Sequence, residues 1–347
     1  MLQTLRNAWK VEELRRKILF TLFIVLLYRI GNAVPVPYVD VENLTAYMNS
    51  MQNTFFGLMD VMSGGAFSNA TIFALAIQPY INASIIIQLL CIAIPALERL
   101  SKEEGEEGRK KIASITRYAT VAIGLLQGFG YYMLMKNSSY TILRTDVASN
   151  VWAAIVIILT FTSGSALVMW LGEQITEHGI GNGISMILFA GIVARFPVSI
   201  RQTIANIGSG ALPWWVAVLM FLGALAIIIL IVYVNDAERR IPVQYAKRVV
   251  GRKMYGGQST HLPMKVNMSG VMPIIFAQTI ASLPGTIAMF VGKTDGWAST
   301  WTNSLIYALV YFLLIIFFAY FYSTIQFNPI EVANNLKKNG VYIPGFR

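Results

Sequence analysis

Eight long apolar runs constrain the fold of this chain more than any other feature of its sequence. They lie at about 18–36, 72–94, 112–135, 151–171, 184–204, 214–234, 270–291 and 304–324. A helix that crosses the hydrocarbon core of a bilayer needs about 20 predominantly apolar residues. Only 13% of the residues are charged, whereas a soluble domain carries about 25%. The sequence therefore predicts an all-α, polytopic transmembrane helix bundle, with residues 1–347 forming one membrane domain.

The distribution of Lys and Arg predicts how the bundle is oriented. If the N-terminus lies in the cytoplasm, 21 of the 27 basic residues fall in the inner segments 1–17, 95–117, 172–183, 235–269 and 325–347. Cytoplasmic loops of membrane proteins carry an excess of Lys and Arg, so this orientation is predicted and its mirror image is not. The net charge of +10 mainly reflects this topology. It also favours an acidic partner on the cytoplasmic side.

The stretch from 55 to 95 is interrupted in a way that a simple span is not. Its first part, 55–62, is apolar but too short to cross a bilayer, and it contains Asp60. Two glycines and a polar run follow, and the next apolar run contains Gln78 and Pro79. Lipid-exposed irregular backbone is not tolerated within the hydrocarbon core. We therefore expect this stretch to lie inside the bundle, beside a cavity or pathway, with 55–62 as a re-entrant element.

The loop at 179–183 reads GIGNG and precedes an apolar run directly. A glycine-rich turn at a helix N-terminus can bind phosphate. The loop matches neither GxGxxG nor GxxxxGK[ST], however, and no strand precedes it. The pattern favours a tight turn that lets the end of one helix approach another helix.

The longest cytoplasmic loop, 235–269, is called the basic loop below. Alternation in IPVQYAKRVV predicts a strand or hairpin, and Gly251 indicates a turn. Its cluster of basic residues would suit RNA, acidic lipid or an acidic protein surface. Topology alone would also explain these charges, but the length and regular pattern of the loop favour a docking site.

The sequence contains no recognisable catalytic or metal-binding motif. His178 and His261 are its two histidines, and neither lies near a Cys pair or in an HExxH arrangement. No predicted span contains a carboxylate that would serve a proton relay. We expect a non-enzymatic protein without a cofactor that forms a passive, gated pathway. Two alternatives are a secondary transporter, which also uses broken helices, and a membrane-embedded enzyme.

Six strings of the sequence resemble the bacterial SecY family. They are MSGGAFSNATIFALAIQPYINASIIIQLL, RYATVAIGLLQGFG, MWLGEQITEHGIGNGISMILFAGIVA, IPVQYAKRVVGRK, QSTHLPMKVNMSGVMPIIFA and NPIEVANNLKKNGVYIPGFR. The resemblance extends from about Leu14 to Arg347. It implies the central pore-forming subunit of the Sec protein translocase in the bacterial plasma membrane. Such a channel passes unfolded secretory polypeptides across the membrane and releases membrane-protein segments laterally into lipid.

The same resemblance implies ten spans arranged in two pseudo-symmetric halves of five. The first half would comprise 1–204 with five spans, and the second half 205–347 with spans six to eight. The chain ends at Arg347 in the loop after the eighth span, so we expect a fragment or a short form of the ten-span channel.

The resemblance also implies roles for residues along the pathway. A plug that closes the outer funnel would span about 55–69, here called the plug segment, and would include Phe55, Leu58, Met59, Met62, Gly64 and Gly65. A hydrophobic pore ring would consist of Ile77, Ile81, Ile184, Leu188 and Ile275. A polar cluster at the lateral gate would consist of Asn82, Gln127 and Thr279. A ring of aliphatic side chains can close around any peptide while resisting ion leakage, partly by dewetting.

The remaining residues implied by the resemblance concern partners. The family assembles with SecE and SecG subunits, receives polypeptides with signal sequences, and is driven by the SecA motor or by a ribosome. Docking of SecA or the ribosome would involve Lys247, Arg248, Arg252, Lys253 and Arg347.

Overall fold

The protein is described by a computed structural model, and most of its residues are helical. The described residues are 9–50, 55–102, 105–138, 140–144, 150–245, 248–250, 253–255, 259–281, 283–284, 287, 301, 304–326, 329–338 and 341–342. The chain divides into two compact units. Unit 1 comprises Met1–Arg201 and Ser282–Tyr307, and unit 2 comprises Gln202–Ala281 and Ala308–Arg347. The predicted halves, 1–204 and 205–347, stay a prediction.

Eight helices that lie wholly among the described residues, and the beginning of a ninth, belong to unit 1. They are α1 (Glu12–Gly31), α2 (Val41–Ser50), α3 (Phe55–Ser63), α4 (Gln78–Ala93), α5 (Pro95–Lys102), α6 (Gly105–Lys136), α7 (Val151–His178), α8 (Gly183–Ala194) and α9 (Phe196–Gly208). Its aromatic core lies around Tyr131, whose ring centroid is 4.3 Å from that of Phe67 and 4.9 Å from that of Phe161. All three side chains are almost completely buried.

Small residues let the helices of unit 1 approach closely. A Cβ atom placed on Gly124 would lie 3.0 Å from Ser165 Oγ, and one on Gly128 would lie 3.3 Å from the carbonyl oxygen of Ile158. A Cβ on Gly164 would overlap the carbonyl oxygen of Ile72. Helix association in a membrane depends on such close van der Waals contact, because lipid tails are as apolar as the side chains. Gly124 and Gly128 therefore let α6 approach α7 closely.

The predicted run at 72–94 differs from the helix that forms there. Helix α4 begins only at Gln78, and Pro79 occupies its first turn. Proline lacks a backbone N–H and is preorganised for the first turn of a helix, so it marks the start of α4. Residues 72–77 before it are turns, and Ala76 has a positive φ of 46°.

Unit 2 contains the rest of α9, a long helix, a sheet and the C-terminal helices. Its elements are α10 (Trp214–Asp236), β1 (Glu238–Tyr245), β2 (Arg248–Val250), β3 (Lys253–Tyr255), β4 (Ser259–Lys265), α11 (Met272–Ala281), most of α12 (Leu305–Gln326), α13 (Pro329–Lys338) and β5 (Val341–Tyr342). The rings of Phe276 and Phe318 stack 5.3 Å apart and join α11 to α12. Helix α10 buries none of its residues.

The strands of unit 2 confirm the predicted strand structure in the basic loop. Strands β1 and β4 pair antiparallel from Glu238 opposite Lys265 to Gln244 opposite Ser259. Strand β5 pairs with the other edge of β1, so the order of the sheet is β4-β1-β5. Strands β2 and β3 form a separate antiparallel pair. Gly251, the predicted turn, lies outside the described residues.

Among the described residues, four helical segments are long and apolar enough to cross a membrane, judged by length and composition. They are Val151–His178, Gly183–Gly208, Trp214–Asp236 and Leu305–Thr324. Each coincides with a predicted apolar run, and the shorter apolar helices Gln78–Ala93 and Met272–Ala281 fall on two more. The predicted fold class, a polytopic bundle of transmembrane helices, is confirmed.

Candidate functional site

The plug segment forms a short helix followed by a compact loop inside unit 1. Helix α3 covers its first nine residues and buries Phe56, Asp60 and Ser63. Gly64 and Gly65 follow with φ values of 71° and 90°. Residues that carry a side chain rarely adopt this left-handed conformation, so the two glycines allow the sharp reversal after α3. Among the other predicted plug residues, Met59 and Met62 are half-buried, and Phe55 and Leu58 lie on the same helix.

The end of α3 contacts α8 backbone to backbone. A Cβ on Gly64 would lie 2.6 Å from the carbonyl oxygen of Gly191, and a Cβ on Gly191 would lie 2.8 Å from that of Met62. Real Cβ atoms essentially never approach this closely. Glycine at both positions therefore permits the plug segment to lie directly on α8.

An ion pair joins the same two elements. Arg195 Nη2 lies 2.5 Å from Asp60 Oδ2, and the side chain of Asp60 is only 10% exposed. Arg195 is the C-cap of α8, where Pro197 interrupts the run between α8 and α9. From the sequence we expected the stretch that contains Asp60 to lie inside the bundle, but no partner for this carboxylate was predicted. The structure buries Asp60 and places it against Arg195.

Hydrogen bonds hold the loop after α3. Tyr131 Oη donates to the carbonyl oxygen of Phe67, and this tyrosine is fully buried in α6. The backbone N–H of Ser68 donates to Asp60 Oδ1 over 2.8 Å, and that of Phe67 donates to Ser63 Oγ over 3.1 Å. The plug segment is thus tied both to itself and to its neighbours.

The predicted ring residues lie on three helices. Ile77 and Ile81 belong to the start of α4 and are 1% and 8% exposed. Ile184 and Leu188 are half-buried on α8, one turn apart, and Ile184 Cγ1 lies 3.4 Å from a Cβ placed on Gly172 of α7. Ile275 belongs to α11 in unit 2. Their convergence into one ring stays a prediction.

The predicted gate residues are polar groups on apolar helices. Asn82 is half-buried on α4, and Gln127 is half-buried on α6. The Oε1 atom of Gln127 is buried and has no hydrogen-bond partner in the described part of the chain. Thr279, in unit 2, donates from Oγ1 to the carbonyl oxygen of Ile275 in its own helix over 2.9 Å. The gate assignment stays a prediction.

The GIGNG loop forms the tight turn that its sequence favours. The side chain of Asn182 caps α8 by accepting hydrogen bonds from the N–H groups of Ile184 and Ser185. Gly181 has a φ of 71°, and a Cβ on Gly183 would overlap the carbonyl oxygen of Gly172. The start of α8 therefore lies directly against α7, and the prediction of a close helix approach is confirmed.

The predicted docking residues lie on or near the small strands of unit 2. Arg248 begins β2 and Lys253 begins β3, and these strands pair with Val250 opposite Lys253. Lys247, Arg252 and Arg347 lie outside the described residues. Strand β5, which precedes Arg347 by five residues, pairs with β1 through Gln244 opposite Tyr342. The C-terminal segment and the basic loop thus share one sheet.

These features define a polytopic membrane protein with a short helix buried beside interrupted spans. A family model described as SecY matches residues 71–347. Protein translocase subunit SecY of Streptomyces galbus is 44% identical over 361 residues, which cover 100% of this chain and 82% of the relative. The protein of the same description from Escherichia coli (strain K12) is 44% identical over 344 residues, covering 96% of this chain and 77% of the relative. The chain belongs to the SecY family.

Solved structures show the same fold at low sequence identity. One is described as the structure of a protein conducting channel and matches with a TM-score of 0.66 and 17% identity. The match covers 96% of this chain and 78% of the chain in that structure. A second, with a TM-score of 0.63, 18% identity and the same two coverages, concerns the plug domain of the SecY protein. A third, Sec61 in a canine ribosome-channel complex, has a TM-score of 0.62 and 16% identity and covers 92% of this chain and 75% of its own.

Proposed function

We propose that this chain is the pore-forming subunit of a Sec-type protein translocase. Unfolded secretory polypeptides would pass through it, and membrane-protein segments would leave it laterally into lipid. The observation that carries the proposal is the 44% identity to relatives named protein translocase subunit SecY, which covers the whole chain. We further infer that the protein lies in the bacterial plasma membrane with its N-terminus in the cytoplasm, because basic residues concentrate in the corresponding loops.

The plug segment would close the channel in the absence of a client. In one structural relative, the plug domain of the SecY protein stabilises the closed state of the translocation channel and maintains a membrane seal. In this chain the corresponding role is supported by the burial of Phe56, Asp60 and Ser63 and by the contact between Gly64 and Gly191. A segment packed in this way leaves its position only when several contacts break together.

The aliphatic and polar residues next to the plug segment would have two different tasks. Ile77, Ile81, Ile184, Leu188 and Ile275 would form the constriction, because aliphatic side chains have no preference for a particular peptide sequence and exclude ions by dewetting. Asn82, Gln127 and Thr279 would hold the lateral gate, since polar contacts between transmembrane helices contribute only about 0.6–2 kcal/mol each. The Oε1 atom of Gln127 is buried and has no hydrogen-bond partner among the described residues. This supports a role at the gate, because a gate residue would exchange its hydrogen-bond partner as the gate opens.

The chain would supply the pathway, and its partners would supply the energy for transport. We infer that it catalyses no reaction, and that ATP hydrolysis by SecA or synthesis by a ribosome drives transport. The basic loop would be the docking site, together with the segment that precedes Arg347. One structural relative is described in a ribosome-channel complex, which supports the ribosome as a partner. SecE and SecG would complete the membrane complex.

The proposal is tested by reconstituting the full protein with SecE and SecG in proteoliposomes. SecA, ATP and a precursor bearing a signal sequence are added, and the precursor protected from external protease is measured. We expect protection that depends on ATP and on the signal sequence. Vesicles that lack this chain are the control. Equal protection with and without the chain would refute the function, and SecA-independent uptake of a small solute would favour a transporter.

A further inference from the structure

The contact between the plug segment and α8 combines an apolar part and an ionic part. Gly64 and Gly191 provide close backbone contact, and Asp60 and Arg195 provide the ion pair. Asp60 precedes Gly64 by four residues, and Arg195 follows Gly191 by four residues. Residues four apart on a helix lie one turn apart on the same face, and Gly191 and Arg195 stand in the last turn and at the C-cap of α8. Asp60 lies in the last turn of α3, just before the reversal at Gly64. The ion pair therefore lies beside the glycine contact, one turn further along α8.

A further hydrogen bond holds the carboxylate of Asp60. It accepts from the N–H of Ser68 over 2.8 Å, which ties it to the loop after α3. The backbone of Arg195 is fixed at the end of α8, where its N–H bonds to the carbonyl oxygen of Ile192 over 3.2 Å. Its guanidinium passes over Gly65, since a Cβ there would lie 3.6 Å from Nε. The Asp60 carboxylate therefore enters the pair with little further loss of side-chain freedom, and α8 fixes the position from which Arg195 reaches it.

We propose that Asp60 and Arg195 form a polar latch that positions the plug segment and sets how readily it leaves α8. The proposal rests on the proposed function, because it gives this segment the part of a plug. Its new content is that one charge pair contributes a separable part of the interactions that hold this segment. An ion pair suits this purpose because its attraction depends on close approach and ends once water separates the charges.

The two members of the latch differ in exposure, and this difference makes the latch testable. The side chain of Asp60 is 10% exposed, whereas that of Arg195 is 38% exposed. Removing Arg195 leaves a buried carboxylate without its counter-charge, which is strongly unfavourable. Removing the charge of Asp60 leaves a guanidinium that reaches water. Arg195→Gln should therefore weaken the closed position more than Asp60→Asn, and Asp60→Asn should partly suppress Arg195→Gln.

The test measures hydrogen exchange of residues 55–70 in the full protein with SecE and SecG in lipid nanodiscs. Relative to wild type, we expect exchange to be about tenfold faster in Arg195→Gln, a change equal to about 1.4 kcal/mol. We expect hydrogen exchange to be about threefold faster in Asp60→Asn. In the double variant the rate should lie between those of the two single variants. Exchange in α6 and α7 should be unchanged. Arg195→Lys keeps the charge and should retain most of the protection.

Matched controls separate the latch from general effects of charge removal. Arg201→Gln removes an exposed guanidinium from α9, and Asp236→Asn removes an exposed carboxylate from the end of α10. Both controls should behave as wild type. The proposal is overturned if Arg195→Gln leaves exchange at 55–70 unchanged, if exchange rises equally in every helix, or if the two substitutions add instead of suppressing.

A second measurement connects the latch to the seal. Leakage of a small fluorescent anion from proteoliposomes without client should rise in the same order, with Arg195→Gln highest. Because hydrogen exchange needs no client, a failure of the latch and a failure of the proposed function give different results. If wild type does not transport precursor, the function fails while the exchange pattern still decides the latch.

Discussion

The described residues of the plug segment and of the basic loop differ in their exposure to solvent. In the plug segment Asp60 and Phe67 are buried, and Gly64 and Gly191 allow close backbone contact because they have no side chain. In the basic loop the sheet pairs through backbone hydrogen bonds, and Arg239 and Arg240 on β1 are exposed. The difference indicates that the chain relies on shape and burial where it would seal, and on exposed charge where it would meet a partner.

The two regions should also differ in their tolerance of substitution. An atom added at a buried close contact forces the backbone to shift, which lowers stability. Substituting an exposed charge changes the stability of the chain itself only a little. Substitutions near the plug segment should therefore change stability and leakage. Those in the basic loop should change binding alone.

The largest expected effect is the addition of one methyl group at Gly164. A Cβ there would overlap the carbonyl oxygen of Ile72, which lies in the turn region that leads to Ile77 of the predicted ring. Gly164→Ala should lower the free energy of unfolding by about 3 kcal/mol, at the upper end for overpacking. Thermal or denaturant unfolding in detergent measures it. Gly223→Ala on α10 is the matched control, because nothing lies within 4 Å of a Cβ placed there. Its free energy of unfolding should equal that of wild type or be slightly higher.

The next largest effect is expected at the predicted constriction. Ile81→Gly should raise the ion conductance of the complete channel in planar bilayers by about tenfold, because a smaller side chain widens the dewetted ring. Ile86→Gly carries the same helix penalty on α4, but Ile86 is 44% exposed. It should conduct as wild type does. Equal conductance of the two variants would contradict the ring assignment of Ile81.

A smaller effect is expected where α6 holds the loop of the plug segment. Tyr131→Phe removes the hydroxyl that donates to the carbonyl oxygen of Phe67. A lost hydrogen bond of this kind costs about 1 kcal/mol, so leakage without client should rise about fivefold. Tyr118→Phe, at a side chain that is 78% exposed, is the control. Leakage that rises equally in both variants would show that the bond to Phe67 is not specific to the seal.

The smallest effect is expected in the basic loop. Reversing the charges of Arg252 and Lys253 to Glu should weaken binding of SecA or ribosomes about threefold at physiological salt and more at low salt, because salt screens the attraction between charges across an aqueous interface. Arg109→Glu with Lys110→Glu, at two exposed residues of α6, is the control for net charge. Binding by microscale thermophoresis at two salt concentrations measures the effect. If the Arg252→Glu, Lys253→Glu variant binds with wild-type affinity at low salt, the basic loop is not the docking site.

The fold was largely predictable because membrane helices are determined by local hydropathy. Runs such as 151–171 and 214–234 predicted α7 and α10 well, since a span must satisfy its backbone within one segment. The alternation in IPVQYAKRVV likewise predicted strands in the basic loop. The start of α4 was misplaced by six residues, because apolar residues 72–77 look like part of a span while Pro79 sets the helix start.

The candidate site was only partly predictable. The glycines of GIGNG indicated a close helix approach, and α8 does lie against α7 at Gly172 and Gly183. The pairing of Asp60 with Arg195 was not predictable, because 135 positions separate them and no local pattern links one residue to the other. The scarcity of charge in the spans favoured a passive pathway, and the buried pair shows that the bundle nevertheless contains charge.

The sequence by itself determined which segments are apolar enough to enter a membrane, where helices must break, and which loops carry basic charge. These properties depend on composition and on neighbours within a few residues. Only the tertiary structure decided which glycines touch, which tyrosine holds the plug segment, and which carboxylate is buried against which guanidinium. Such contacts arise between helices distant in sequence, and their strength depends on burial, which no single segment specifies.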